Sequence, residues 1–471
     1  MALLAALLAL SACSGDADII GRCEALTEPQ LFLSGDNGGL GEVWWSPSVG
    51  LIGDHVWVTY VQMIDGKWLG LGRWYDTSTL VPTSEPVRLG TVDIWELQNW
   101  VRDGDALVGQ VWADPAEEAI TSDDGLVHLW RVTPPPMSTA VGNRVALTTY
   151  DPADDPFLLP GRWRTIDLSV FENAGFQGAI PIVATASGPL GALGAMAPCP
   201  GARFGGISVH VFGADLTAHR LPFPSELCEI GGAGVPWLFP LSANEVGLLY
   251  RHGGADDHEV RFVRLAADGT PTSMPRVVGG GENVAVAGEY AGFQPRGVRV
   301  RQHILFTERR GATGQCYTVR LTDLDGDDAE DAPWQLPCAD DGGSAWGPVV
   351  TWIHQLVAVP GAAVLVWQER SNVSASGEII SDPSSYHEGV FAVMLTEDGK
   401  RGSAVMTLTT PEFTAAEGNS DGTPIFAGDT DVQVAADGNN IFATWIDTRV
   451  ASAPGPPAGY HARSFRCIVD P

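Results

Sequence analysis

Across 471 residues the chain carries 27 Lys and Arg against 57 Asp and Glu, a formal net charge of −30. An acid excess of this size repels phosphate backbones and excludes nucleic acid as a partner. The acids are scattered over the chain rather than gathered in a tail, which reads as a solvated surface around a core that 471 residues are ample to build.

The chain opens on an apolar run, residues 1–12, far short of the ~20 residues a membrane-spanning helix needs. It fits the apolar region of a secretory signal peptide. The run closes on Leu10-Ser11-Ala12-Cys13, which closely resembles a bacterial lipobox. That resemblance implies cleavage before Cys13 and lipidation of its thiol and new amino terminus. Residues 13–22 then become a lipidated tether, the membrane becomes a partner through the lipid, and the cell envelope becomes the location. Ser14 after the cysteine favours the outer membrane, by similarity to sorting in Gram-negative lipoproteins. No Lys or Arg precedes the run, a departure from the signal-peptide pattern, and an ordinary signal peptide is the alternative.

From residue 23 onward Gly and Pro punctuate short apolar runs, and no long stretch sustains a helical period. The clearest run is IFATWIDTR at 441–449, an alternating strand that follows the turn residues Asp437, Gly438, Asn439 and Asn440. Looser copies stand at 55–61, 106–112, 191–196, 245–251, 303–309 and 363–370. With Tyr60, Val111, Met196, Tyr250, Thr307, Trp367 and Trp445 taken as equivalent, the steps are 51, 85, 54, 57, 60 and 78 residues. Several copies are followed by a second strand that ends in an Asp-Gly turn, at 260–271, 317–328 and 390–401. Four-stranded blades of roughly 40–50 residues with added loops account for such steps. The expectation is all-β: a single β-propeller over residues 23–471 with seven blades, six or eight being the alternatives. Loop insertions are expected near 151–178, 371–388 and 450–459, where binding on a rigid ring tends to reside.

Seven cysteines are present. With Cys13 lipidated, Cys23, Cys199, Cys228, Cys316, Cys338 and Cys467 remain, an even number suited to disulfides in an exported chain, with 15 connectivities open. The last blade lacks a fourth strand on its C-terminal side, and residues 23–33 precede the first complete unit. An N-terminal strand completing the last blade would close the ring and bring Cys23 beside Cys467. Cys199–Cys228 and Cys316–Cys338 would then be local pairs.

The strand ends carry an imperfect W-x-D-x-R pattern: Trp445/Asp447/Arg449, Trp367/Glu369/Arg370 and Thr307/Glu308/Arg309. An acid and an arginine so placed would pair and fix hairpin geometry. The pattern resembles that of secreted repeat proteins with a β-propeller fold, a resemblance that carries over no activity. Asp323, Asp325 and Asp327 form a carboxylate-rich loop that would offer oxygen ligands to calcium, but its glycine comes too early for a calcium loop, and an acidic hairpin turn is the simpler expectation. No other cofactor is expected. Residues 34–38 match the start of a sialidase-type S-x-D-x-G box without its tryptophan. No H-E-x-x-H, G-x-S-x-G or P-loop pattern occurs.

Trp44, Trp45 and Trp163 lie in irregular polar contexts and are candidates for a platform that stacks on a sugar or a protein. The reading is therefore a membrane-anchored, non-catalytic binding or scaffold module with a protein or carbohydrate ligand. The alternative is a glycan hydrolase or lyase on the same scaffold.

Overall fold

A computed structural model describes residues 20–34, 48–64, 67–91, 97–113, 125–136, 139–147, 182–195, 206–212, 218–220, 233–252, 257–282, 297–310, 316–336, 349–371, 387–409, 432–447 and 459–470. Their regular structure is entirely β-strand, in seven antiparallel sheets whose strands lie side by side in chain order. Blade 1 is Ser48–Ile52, His55–Ile64, Lys67–Asp76 and Val87–Thr91. Blade 2 is Leu97–Asp103, Ala106–Ala113, Gly125–Val132 and Ala140–Leu147. Blade 3 is Ile182–Thr185, Gly188–Ala195, Gly206–Phe212 and Ala218–Arg220. Blade 4 is Ala233–Ser242, Glu245–His252, Asp257–Ala266 and Arg276–Glu282. Blade 5 is Gly297–Val300, His303–Arg310, Cys316–Asp323 and Glu330–Asp331. Blade 6 is Val349–Val359, Ala362–Ser371, His387–Leu395 and Met406–Thr407. Blade 7 is Gln433–Asp437, Asn440–Asp447 and Gly459–Val469, with Gly21–Ala25 and Gln30–Ser34 along its outer edge. The first strands touch in succession from blade 1 to blade 7, and that of blade 7 touches blade 1 again. This is a β-propeller.

Register is set at the innermost hairpins, each of which turns on two residues, such as Gly53-Asp54 in blade 1 and Gly438-Asn439 in blade 7. Gly438 holds φ at +60°, a conformation that costs glycine nothing and is the reason this loop position favours it. Counting from the hairpins, the sixth residue of each second strand is Tyr60, Val111, Leu193, Tyr250, Glu308, Trp367 or Trp445. Two of the expected equivalences therefore shift. Met196 gives way to Leu193, because the strand begins at Gly188 rather than residue 191, and Thr307 gives way to Glu308. A period-2 pattern reports the face of a strand but not where its hairpin begins.

The faces between blades hold the core. Trp57, Trp74, Trp100 and Trp130 pack together between blades 1 and 2. Trp57 and Trp74 stand 5.3 Å apart and Trp57 and Trp100 5.6 Å, centroid to centroid. Glycines make the seats: a Cβ on Gly72 would collide with the ring of Trp57, and one on Gly109 with that of Trp100.

The outer turns share a device. Ser84 Oγ accepts the backbone N–H of Trp74 at 3.1 Å, Ser273 Oγ that of Arg264 at 2.9 Å, and Ser403 Oγ that of Met394 at 3.0 Å. In blade 7 the same bond is made by the other end of the chain: Thr27 Oγ1 accepts the N–H of Ser464 at 3.0 Å. The N-terminal segment is thus the outer strand of the last blade, entering at Gly21, two residues before the expected boundary. It is two strands rather than one. Leu26 and Thr27 both donate to the Ser464 carbonyl, at 2.9 and 3.2 Å, and Pro29, with no N–H to give, follows the doubled contact. Cys23 faces Cys467 in register and a disulfide joins them.

Candidate functional site

Glu308 occupies the slot that Tyr60, Tyr250, Trp367 and Trp445 fill in other blades, and only 2 % of it is exposed. The neighbouring outer strand of blade 4 makes room with Gly279 and Gly280; a Cβ on Gly279 would run into Glu308 Oε2. Gly280 N donates to Glu308 Oε1 at 2.8 Å. Arg320 Nε lies 3.6 Å from Oε2, and its Nη1 lies 3.3 Å from Asp331 Oδ1. Across the sheet Glu259 is the register partner of Gly280. It accepts from Arg261 Nε and Nη2 at 2.9 and 2.7 Å, with His252 Nδ1 at 3.4 Å. A buried carboxylate survives only when donors and an opposite charge surround it. Here they come from two blades, so the carboxylate ties blade 4 to blade 5.

Several carboxylates beside the two-residue hairpins are spent in the same way. Asp437 accepts Gly53 N at 2.8 Å on Oδ2 and Arg102 Nη1 at 2.6 Å on Oδ1, linking blades 7, 1 and 2. Asp103 pairs with Arg131. Arg264 bridges Glu245 at 2.5 Å and Asp325 at 2.6 Å. The hydrogen bond Arg264 donates to Glu245 first, then the one it donates to Asp325, raises its pKa.

The three aspartates considered for calcium have separate engagements. Asp323 Oδ1 accepts the N–H groups of Asp325 and Asp327 at 3.0 and 2.8 Å, closing a turn in which Gly326 holds φ at +79°. Asp325 pairs with Arg264, and Asp327 lies 3.7 Å from Arg276 Nη1. Among the described residues no group of three or more His, Cys, Asp or Glu side chains is placed to hold a metal ion.

Asp76 and Asp398 have depressed pKa values. Ser78 and then Thr79 hydrogen-bond the Asp76 carboxylate. Burial alone would raise Asp398, but bonds from Thr396 and Lys400 more than offset it. Burial pushes the phenols of Tyr60 and Tyr75 up. These are the signs of groups that brace turns and fill cores. A carboxyl acting as a general acid would need the opposite shift.

The ring closes around Arg463. Its side chain, 12 % exposed, donates from Nε to Thr27 O at 2.9 Å and from Nη1 to Thr407 O and Leu408 O at 2.9 and 3.2 Å. It therefore joins the N-terminal segment, blade 6 and blade 7. Glu28 Oε2 stands 3.7 Å away, and burial lowers the Arg463 pKa.

In the W-x-D-x-R pattern, Trp445 and Trp367 are buried. Trp445 stacks on His461 with centroids 6.3 Å apart, and Trp367 packs against Trp334 and Phe391. Arg449 and the side chains of Asp447, Glu369, Arg370 and Arg309 lie outside the described residues. So do Cys13, Cys199, Cys228, Cys338, Trp44, Trp45, Trp163, the insertion at 151–178 and that at 450–459 except Gly459, which begins a strand. The insertion near 371–388 is described only at Ser371, which ends one strand, and at His387 and Glu388, which begin the next. Cys316 begins a strand, its side chain also outside the description.

Sequence reasoning missed the burial of Glu308 in the aromatic slot, the hydroxyl of the outer turn and the role of Arg463. Glu308 carried a signal in the triplet Gly279-Gly280-Gly281, since repeated glycine in a strand marks a close approach. The hydroxyl of the outer turn was readable as Ser84-Glu85-Pro86, Ser273-Met274-Pro275 and Thr27-Glu28-Pro29. Arg463 carried no local signal.

No protein-family model and no curated protein matches the chain. Solved structures are similar in fold. The β-propeller domain of the Trilobed protease from Pyrococcus furiosus is 8% identical over 89% of this chain and 95% of that one, with a TM-score of 0.41. Polysaccharide lyase Uly1 is 9% identical over 96% and 99%, at 0.35, and a thermostable family-43 glycoside hydrolase 8% identical over 82% and 98%, at 0.36. Nothing about the chemistry of this chain follows from these similarities.

Proposed function

We propose that this β-propeller is a membrane-anchored binding or scaffold module that performs no bond-breaking chemistry, with its anchor at Cys13. One observation carries the non-catalytic part: Glu308, Asp437, Glu245 and Asp325 are each committed to a backbone N–H or an arginine that joins one blade to another. Carboxylates used as braces are not available as an acid and base flanking a substrate bond. The anchor rests on the lipobox resemblance at residues 10–13.

The test uses the mature lipoprotein on a glycan array, followed by mass spectrometry of every glycan retained. Saturable binding with the glycan recovered intact is expected. Shortened or unsaturated products would overturn the non-catalytic reading in favour of a hydrolase or lyase. For the anchor, cells expressing wild type or Cys13→Ser are fed a labelled fatty acid and fractionated. Wild type takes up label and partitions with membranes; equal label and equal partition in the variant would refute lipidation at Cys13.

A further inference from the structure

The strand order fixes which end of the ring the N-terminus leaves from. In every blade the first strand runs to a two-residue hairpin, the second runs away from it, and the third returns. One end of the ring therefore carries all the innermost hairpins and the turns from third to fourth strand. The ends of second strands, the starts of third strands and the starts of first strands lie at the opposite end. Gly21 pairs with Val469, the last residue of the third strand in blade 7, so the chain enters the fold at the hairpin end.

That entry point is held firmly. Ile20 N and Gly21 N both donate to Gly402 O, at 3.1 and 3.2 Å, Asp470 N donates to Ile20 O at 2.7 Å, and Cys23 is bonded to Cys467. A pull on the N-terminus is borne by the disulfide three residues into the strand. The corner is also balanced in charge within a strongly acidic chain. Arg22 meets Asp470 at 2.8 Å, Lys400 meets Asp398 at 2.9 Å and Arg466 meets Glu24.

We infer that the ring stands on the bilayer with its hairpin end toward the lipid and its opposite end away from it. This rests on the anchor proposed at Cys13. The chain between Cys13 and Ile20 reaches at most about 25 Å when fully extended, at ~3.5 Å per residue. The second strand of blade 1, from His55 to Ile64, separates the two ends by about 30 Å at ~3.3 Å per residue. The hairpin end is therefore confined near the surface.

The chain has only two lysines, and they report on the two ends. Lys67 begins a third strand, at the far end, and Lys400 sits in a third-to-fourth turn, at the hairpin end. The lipidated protein, in which the terminal amine is acylated, is labelled with an amine-reactive donor dye and placed in vesicles containing a headgroup-labelled acceptor lipid. The Lys67→Arg variant reports from Lys400, and Lys400→Arg from Lys67. Transfer from Lys400 is expected to exceed transfer from Lys67 severalfold. Equal transfer from both sites, as in a ring lying on its side, or stronger transfer from Lys67, would overturn the orientation while leaving the anchor intact. Failure of the lipidated protein to float with vesicles would instead sink the anchor reading, and the orientation with it.

Discussion

Arg463 shows how one side chain gains importance from where the chain happens to close. It is mostly buried, it carries charge, and its donors reach carbonyls on the N-terminal segment and on blade 6. Removing a charged donor shared by three carbonyls costs more than an ordinary hydrogen bond, so Arg463→Met should lose about 2 kcal/mol of stability. Urea unfolding followed by tryptophan fluorescence reads this directly, and a loss below 1 kcal/mol would mean that water replaces the guanidinium. Asp76 gives a prediction in pH. Ser78 and Thr79 hold its folded pKa below the ordinary aspartate value, so its contribution is present above the unfolded pKa of ~3.9 and is lost as pH falls through the folded value. Asp76→Asn should be less stable than wild type at pH 7, and the two should converge in acid. A gap that stays constant from pH 7 to pH 2 would exclude this linkage.

At the scale of elements, two glycines fail for different reasons when given a methyl group. Gly438 has open space around the position a Cβ would take, and its φ of +60° is the whole difficulty. Gly438→Ala should cost about 1–2 kcal/mol, from backbone strain alone. Gly72 lies in an ordinary extended strand, but its Cβ would meet the Trp57 ring, which is itself wedged against Trp74 and Trp100. Gly72→Ala should cost about 3 kcal/mol and shift the tryptophan emission, because the rings must move. Thermal unfolding of both variants, with emission spectra of the folded states, separates strain from crowding; an unshifted spectrum in Gly72→Ala would mean that the seat is looser than it looks. The Ser/Thr-x-Pro device in the outer turns shows that the N-terminal segment is an outer strand of the same kind as residues 84–91, made by chain from the far end of the sequence.

For the molecule as a whole, the disulfide between Cys23 and Cys467 joins residues 444 apart. Cross-linking so large a loop restricts the unfolded chain, and its loss should destabilise the protein by about 2–5 kcal/mol. The double variant Cys23→Ser/Cys467→Ser should unfold at lower urea, with its peptide map otherwise unchanged. Retention of full stability would mean that Arg463, Thr27 and the strand pairing close the ring without covalent help.

The sequence by itself determined that the chain is all β and, from alternating runs and the Asp-Gly turns between them, where most of its second and third strands lie. It also marked the terminal segments that complete one blade, because the last unit lacked a strand and residues 23–33 lacked a blade. Those features are local: turn chemistry and period-2 alternation act over a few residues. Tertiary structure alone decided that Glu308, rather than Thr307, stands in the aromatic slot, and that Arg463 holds three segments together. It also decided that Asp325 serves as a partner for Arg264 on the next blade. Each depends on which face of one sheet meets the next, and that contact is settled by hairpin register and ring closure across hundreds of residues, which no short stretch of sequence encodes.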